Sequence, residues 1–153
     1  MAGKMEREVA DSLKRFFSAQ KDLSEIGVIK SRDYIGDIGR YVCTLVYGLK
    51  VPKGRKPAGY DGKIGKSSVA VRLNNCPVGT PVRLAEPFDF DELIVVLGPN
   101  CFLRPEGVAS DFIFYRFTPE EVRQRFKKTK SGYVGGGGVF DRTYDKVLNI
   151  TTG

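Results

Sequence analysis

Apolar residues recur near the start of the chain at a helical spacing. Met5, Val9, Leu13, Phe16 and Phe17 fall on one side of a helix over residues 4–20, and this stripe is expected to face the core. Gly27 and the Val28-Ile29-Lys30 segment interrupt the pattern. A second helix follows, with Ser31 and Asp33 as candidate N-caps, Gly48 as its end, and Ile35, Ile38, Val42, Leu45, Val46 and Leu49 on one side. Gly36 and Gly39 lower its propensity, which predicts that another backbone or a ligand passes close to that turn.

Further on, the period changes from helical to alternating. Residues 51–58, VPKGRKPA, read as an exposed basic loop punctuated by Pro52, Gly54 and Pro57. Tyr60-Asp61-Gly62 then leads through Gly65 into a strand over residues 68–73. If Val69, Val71 and Leu73 face the core, Ala70 and Arg72 share the opposite face, the one a site would use. The loop at 75–87 is rich in Pro and Gly and is long enough to reach over a cleft. Residues 93–97, LIVVL, form a continuous apolar run suited to a strand buried on both faces.

Residues 111–117 read as another strand. Thr118-Pro119-Glu120-Glu121 is a capping box with proline at the first helical position, opening a helix to about residue 128 that closes on Lys127, Lys128 and Lys130. The four glycines at 135–138 read as a flexible loop, since no phosphate-loop Lys-Ser pair follows them. Residues 144–150 are apolar enough to dock back on the body. The expected fold is α+β, a mixed central β-sheet flanked by helices, in one domain over 1–153 with its core at about 31–126 and a tail from 127.

Composition narrows the chemistry. At 41% hydrophobic and 28% charged residues the chain is that of an ordinary globular protein. No apolar run approaches a membrane span, and the charges scattered through the first residues do not make a secretory leader, so no membrane partner and a cytoplasmic location are expected. There is no histidine, which excludes Ser-His and Cys-His activation and histidine-metal sites. Cys43, Cys76 and Cys101 are too few and too far apart for a disulfide framework or a zinc site. Any catalysis would have to use carboxylates, lysine, tyrosine or a metal held by oxygen.

The net charge of +7 and pI near 9.4 favour a polyanionic partner, most simply nucleic acid. Six cations, Lys50, Lys53, Arg55, Lys56, Lys63 and Lys66, stand against the single acid Asp61 between residues 50 and 66.

Ile35-Gly36-Asp37-Ile38-Gly39-Arg40, Tyr47-Gly48-Leu49, Gly59-Tyr60-Asp61, Val69-Ala70-Val71-Arg72 and the LIVVL run together resemble the restriction-endonuclease-like PD-(D/E)XK superfamily over about residues 31–126. The resemblance implies a glutamate-bearing helix before a hairpin, an aspartate on the first strand, a Glu/Gln-x-Lys on the second, and magnesium held by the acids. Carried onto this chain, the aspartate is Asp61, the helix glutamate falls on Arg40, the second-strand acid on Ala70 and the lysine on Arg72.

Two oxygen ligands are therefore missing, one of them replaced by a cation. Asp37, one helical turn before Arg40, is the candidate for a migrated carboxylate. Arg72 stays protonated and so binds phosphate without carrying protons. The expectation is a nucleic-acid-binding domain, catalytically weakened or inactive, that prefers DNA to RNA and contacts phosphates through Arg40, Lys53, Arg55, Lys56, Lys63, Lys66 and Arg72.

Two alternatives stay open. One is a magnesium-dependent endonuclease with a rearranged site, its metal on Asp61. The other is a non-catalytic subunit or regulator of a bacterial defence system. A homodimer is a further candidate partner.

Overall fold

A computed structural model of the chain describes residues 3–54, 57 and 59–152. In chain order the elements are α1 (Arg7–Glu25), α2 (Tyr34–Tyr47), β1 (Gly62–Ile64), β2 (Ser67–Asn74), β3 (Val82–Ala85), β4 (Glu92–Leu97), β5 (Phe112–Phe117), α3 (Pro119–Arg125), β6 (Lys127–Lys128), β7 (Gly132–Gly135) and β8 (Lys146–Leu148). They make an α+β fold on a mixed sheet. The larger sheet runs β1-β2-β4-β5-β8, with β2 and β4 parallel and the other pairs antiparallel; β3-β7-β6 form a second, antiparallel sheet.

Local chemistry accounts for the main elements. Asp33 caps α2 by accepting from the Gly36 amide, and Gly48 ends the helix at φ 70°, where a residue with a Cβ would be strained. Thr118 and Glu121 exchange the reciprocal bonds of a capping box at α3. Strand β4 is covered on both sides. Ile94 and Val96, with Val69 and Val71 of β2, share a core with Val42 and Cys43 of α2, whereas Leu93, Val95 and Leu97 join the core beneath the second sheet and α3. Burial on both faces is why its sequence reads as an unbroken apolar run.

Several expectations are corrected. Helix α1 begins and ends later than 4–20 and buries none of its residues; Met5, Val9, Leu13, Phe16 and Phe17 are all exposed. The sheet face on that side is already covered by α2, and the aromatic neighbour of α1 on the body is Tyr34, 6.3 Å from Phe16 between ring centroids. Ala70 does not share an open site face. It is fully buried in the core under the second sheet.

The segment at 75–87 is not merely a loop, since it contains β3. Helix α3 stops at Arg125 because Phe126 turns extended and packs edge-on against Phe117 and Phe140, which moves Lys127 and Lys128 onto β6. The close approach predicted at Gly39 is that of β2: a Cβ there would lie 3.1 Å from Leu73 Cβ and 3.3 Å from Val71 Cγ1. Among the described residues no helix is long and apolar enough to cross a membrane.

Candidate functional site

Asp61 sits just before β1 and is 1% exposed. Its amide donates to the Val69 carbonyl at 2.8 Å, and its Oδ2 accepts from the Val71 amide at 2.7 Å. The carboxylate thus holds the entry of the hairpin against its returning strand. Its other oxygen, Oδ1, accepts from Arg40 Nη1 at 2.9 Å.

Asp37 and Arg40 stand one turn apart on α2, where i and i+3 share a face. Arg40 Nη2 donates to Asp37 Oδ1 at 2.7 Å and lies 3.6 Å from Asp33 Oδ2. Asp37 Oδ2 accepts from the Lys30 and Ser31 amides at 2.7 and 2.8 Å and from Ser31 Oγ at 3.0 Å, pinning the turn that leads into α2.

Burial alone would raise the Asp37 carboxyl. The Arg40 guanidinium, the two amides and the Ser31 hydroxyl together hold it below its ordinary value. Burial acts against the charge on Arg40 as well, and the bonds to Asp37 and Asp61 outweigh it, so Arg40 stays protonated. One turn further along, Cys43 is pushed up to about 12, first by burial and then by the charge of Asp61, so its thiol is no nucleophile at neutral pH.

Arg72 lies at the edge of this cluster with its side chain 44% exposed. Its Nη1 donates to the Val71 carbonyl at 2.9 Å and is 3.7 Å from Asp61 Oδ2. Three carboxylates (Asp33, Asp37, Asp61) and two guanidiniums (Arg40, Arg72) are thereby gathered, with Arg40 in the middle.

This donor set does not suit a magnesium ion. The facing oxygens of Asp37 and Asp61 are both engaged by one guanidinium, which an incoming ion would have to displace, and Ala70 contributes no oxygen. Among the described residues no group of three or more acidic, cysteine or histidine side chains is arranged to hold a metal ion.

Of the predicted phosphate contacts, Lys53 lies beside this centre. Lys53 lines a hollow of about 580 Å³ with Lys30, Ser31, Asp33, Asp37 and Arg40. Lys63 lies on β1 and Lys66 on the turn after it, both exposed. No carboxylate lies within 4.0 Å of Lys30, Lys53, Lys63 or Lys66 among the described residues. Arg55 and Lys56 lie outside the described residues. Arg40 and Arg72 do come together at Asp61, as the resemblance implies, but both terminal nitrogens of Arg40 are already bonded to carboxylates.

Sequence reasoning did not anticipate that Lys30 and Ser31 hold Asp37, through their two backbone amides and the Ser31 hydroxyl. The available signal was Ser31 itself, two residues ahead of the cap. A scan against protein-family models and a search among curated proteins find no match to this chain.

Proposed function

We propose that the chain is a nucleic-acid-binding domain of restriction-endonuclease-like type whose centre no longer cleaves, with DNA as the preferred partner. The observation that carries this reading is the Arg40 guanidinium, bonded to Asp37 and Asp61 at 2.7 and 2.9 Å where a nuclease would hold its metal. A fixed organic cation supplies charge balance without the water activation that a metal provides. Phosphates are contacted by the cations on the rim, Lys53, Lys63 and Lys66, which have no carboxylate within 4.0 Å among the described residues, and by the half-exposed Arg72, with Arg55 and Lys56 in the same basic segment. Arg40 organises the site.

Fluorescence anisotropy with labelled duplex and single-stranded oligonucleotides tests the proposal. Binding should weaken steeply between about 50 and about 200 mM salt, as counterion release requires. Absence of binding to either probe at low salt removes the reading.

A second reading, a subunit of a larger assembly, is favoured by α1, whose apolar stripe the chain itself leaves exposed, with Phe16 at 52% and Phe17 at 57%. Sedimentation velocity of the chain alone tests for a homodimer. Self-association lost in Phe16→Glu supports it, and a monomer at all concentrations removes the homodimer.

A further inference from the structure

We infer that the hollow between β2 and the second sheet, with Arg72 on one side and Arg83 on the other, is a separate phosphate subsite for a nucleic-acid backbone. This inference rests on the nucleic-acid reading above and adds a second contact surface to it.

Strand β3 alternates in burial. Val82 and Leu84 point into the core, and Arg83 and Ala85 point out. Arg83 is therefore held by the strand on the exposed face and has no carboxylate within 4.0 Å among the described residues. Arg72 reaches the same hollow from β2; its Nη1 donates to the Val71 carbonyl and stands 3.7 Å from Asp61 Oδ2, and its side chain is 44% exposed.

The hollow has a volume of about 330 Å³ and is also lined by Thr129, Ser131 and Tyr133, with no carboxylate among its walls. Across the second sheet, Arg83 is in register with Val134, and Val134 with Lys127, so Lys127 continues the basic face one strand beyond. Glu86, the residue that follows β3, has cations at 3.6 Å (Arg123) and 3.9 Å (Lys128).

The contrast with the Arg40 centre decides what binds here. At Arg40 three carboxylates outnumber two guanidiniums, whereas this hollow is lined by two guanidiniums, three hydroxyl-bearing side chains and no acid. Guanidiniums offer paired donors that match the two free oxygens of a phosphodiester, and the hydroxyls can add neutral donors. A backbone phosphate seated here would share Arg72 with the Asp61 site, so a strand leaving that site crosses the hollow toward Lys127.

Anisotropy with a fluorescein-labelled oligothymidylate and with a labelled duplex, comparing wild type, Arg83→Glu and Arg83→Lys, tests the inference. Arg83→Glu should weaken binding about tenfold or more. It should also lower the slope of log affinity against log salt by about one, and Arg83→Lys should keep the slope while losing part of the affinity. Arg83 is solvent-facing, so unchanged thermal melting is expected to accompany these losses. If wild type binds and Arg83→Glu binds with the same affinity and slope, the subsite is overturned while the nucleic-acid reading stands. If wild type binds neither probe, the nucleic-acid reading itself fails.

Discussion

Arg40 Nη1 lies 2.9 Å from Asp61 Oδ1, joining the middle of α2 to the mouth of the β1-β2 hairpin across 21 residues of sequence. Both side chains are largely withdrawn from solvent, 13% and 2% exposed, so this is an interior contact with the energetics of one. Within it Asp61 is offset by Arg40 and by the Val71 amide, and Arg40 by Asp61 and Asp37. Removing Arg40 takes a bonded guanidinium from two buried acids at once, while removing Asp61 leaves Arg40 on Asp37.

Arg40→Ala should therefore destabilise the fold by about 3–5 kcal/mol, because Asp37 and Asp61 both stay buried and each loses a bonded guanidinium. Arg40→Lys should recover only part of this, because a point charge cannot bridge two acids as a planar fork does. Urea unfolding followed by circular dichroism measures both. A loss under about 1 kcal/mol for Arg40→Ala would show that water replaces the guanidinium freely.

Asp37 makes the stability sensitive to acid. Its folded-state value is lowered from the ordinary 3.8, so its contribution is complete above that value and is lost as pH falls through the lowered one. Asp37→Asn should be less stable than wild type at neutral pH, and the gap should narrow as the medium is taken well below pH 3.8. Denaturant midpoints across that interval give the comparison. A gap of constant size would assign the effect of Asp37 to packing alone.

Gly39 lets α2 lie directly on β2. Filling the space with Gly39→Val sets methyl groups against Leu73 and the buried Val71, and a cost of about 1–3 kcal/mol is expected. Thermal melting reads it, and an unchanged midpoint would mean that the helix can lift without loss.

At the other end of the molecule, Thr118→Ala removes one half of the α3 capping box and should cost about 1 kcal/mol. The same melting experiment applies. Nucleic-acid binding should be unaffected, because Thr118 is not part of either proposed phosphate site.

Much of the fold was legible where a local rule operates. Asp33 and Gly48 mark the two ends of α2, Thr118 and Glu121 open α3, and the LIVVL run is a doubly covered strand. The second sheet was not legible, because β6 has two residues and β3 has four inside a Pro- and Gly-rich segment, too short to show a period. Periodicity identified the apolar face of α1 but carries no information about what covers it.

The centre was legible in part. Helix spacing puts Asp37 and Arg40 on one face, and the resemblance sets Arg40 and Arg72 around Asp61. That the guanidinium bonds the two acids instead of standing open depends on a contact 21 residues distant, which no local pattern encodes. The outward placement of Arg83 likewise follows from the pairing of β3 with β7, 50 residues away in sequence.

The central claim is that the basic rim of this centre binds a phosphate backbone that the centre does not cut. Its most direct test is a gel-shift of end-labelled duplex DNA incubated with the protein in magnesium, with half of each sample deproteinised before loading. The account predicts a retarded complex at low salt and full-length DNA after deproteinisation. Shortened product that disappears in Asp61→Ala would contradict the claim, as would a probe that is never retarded.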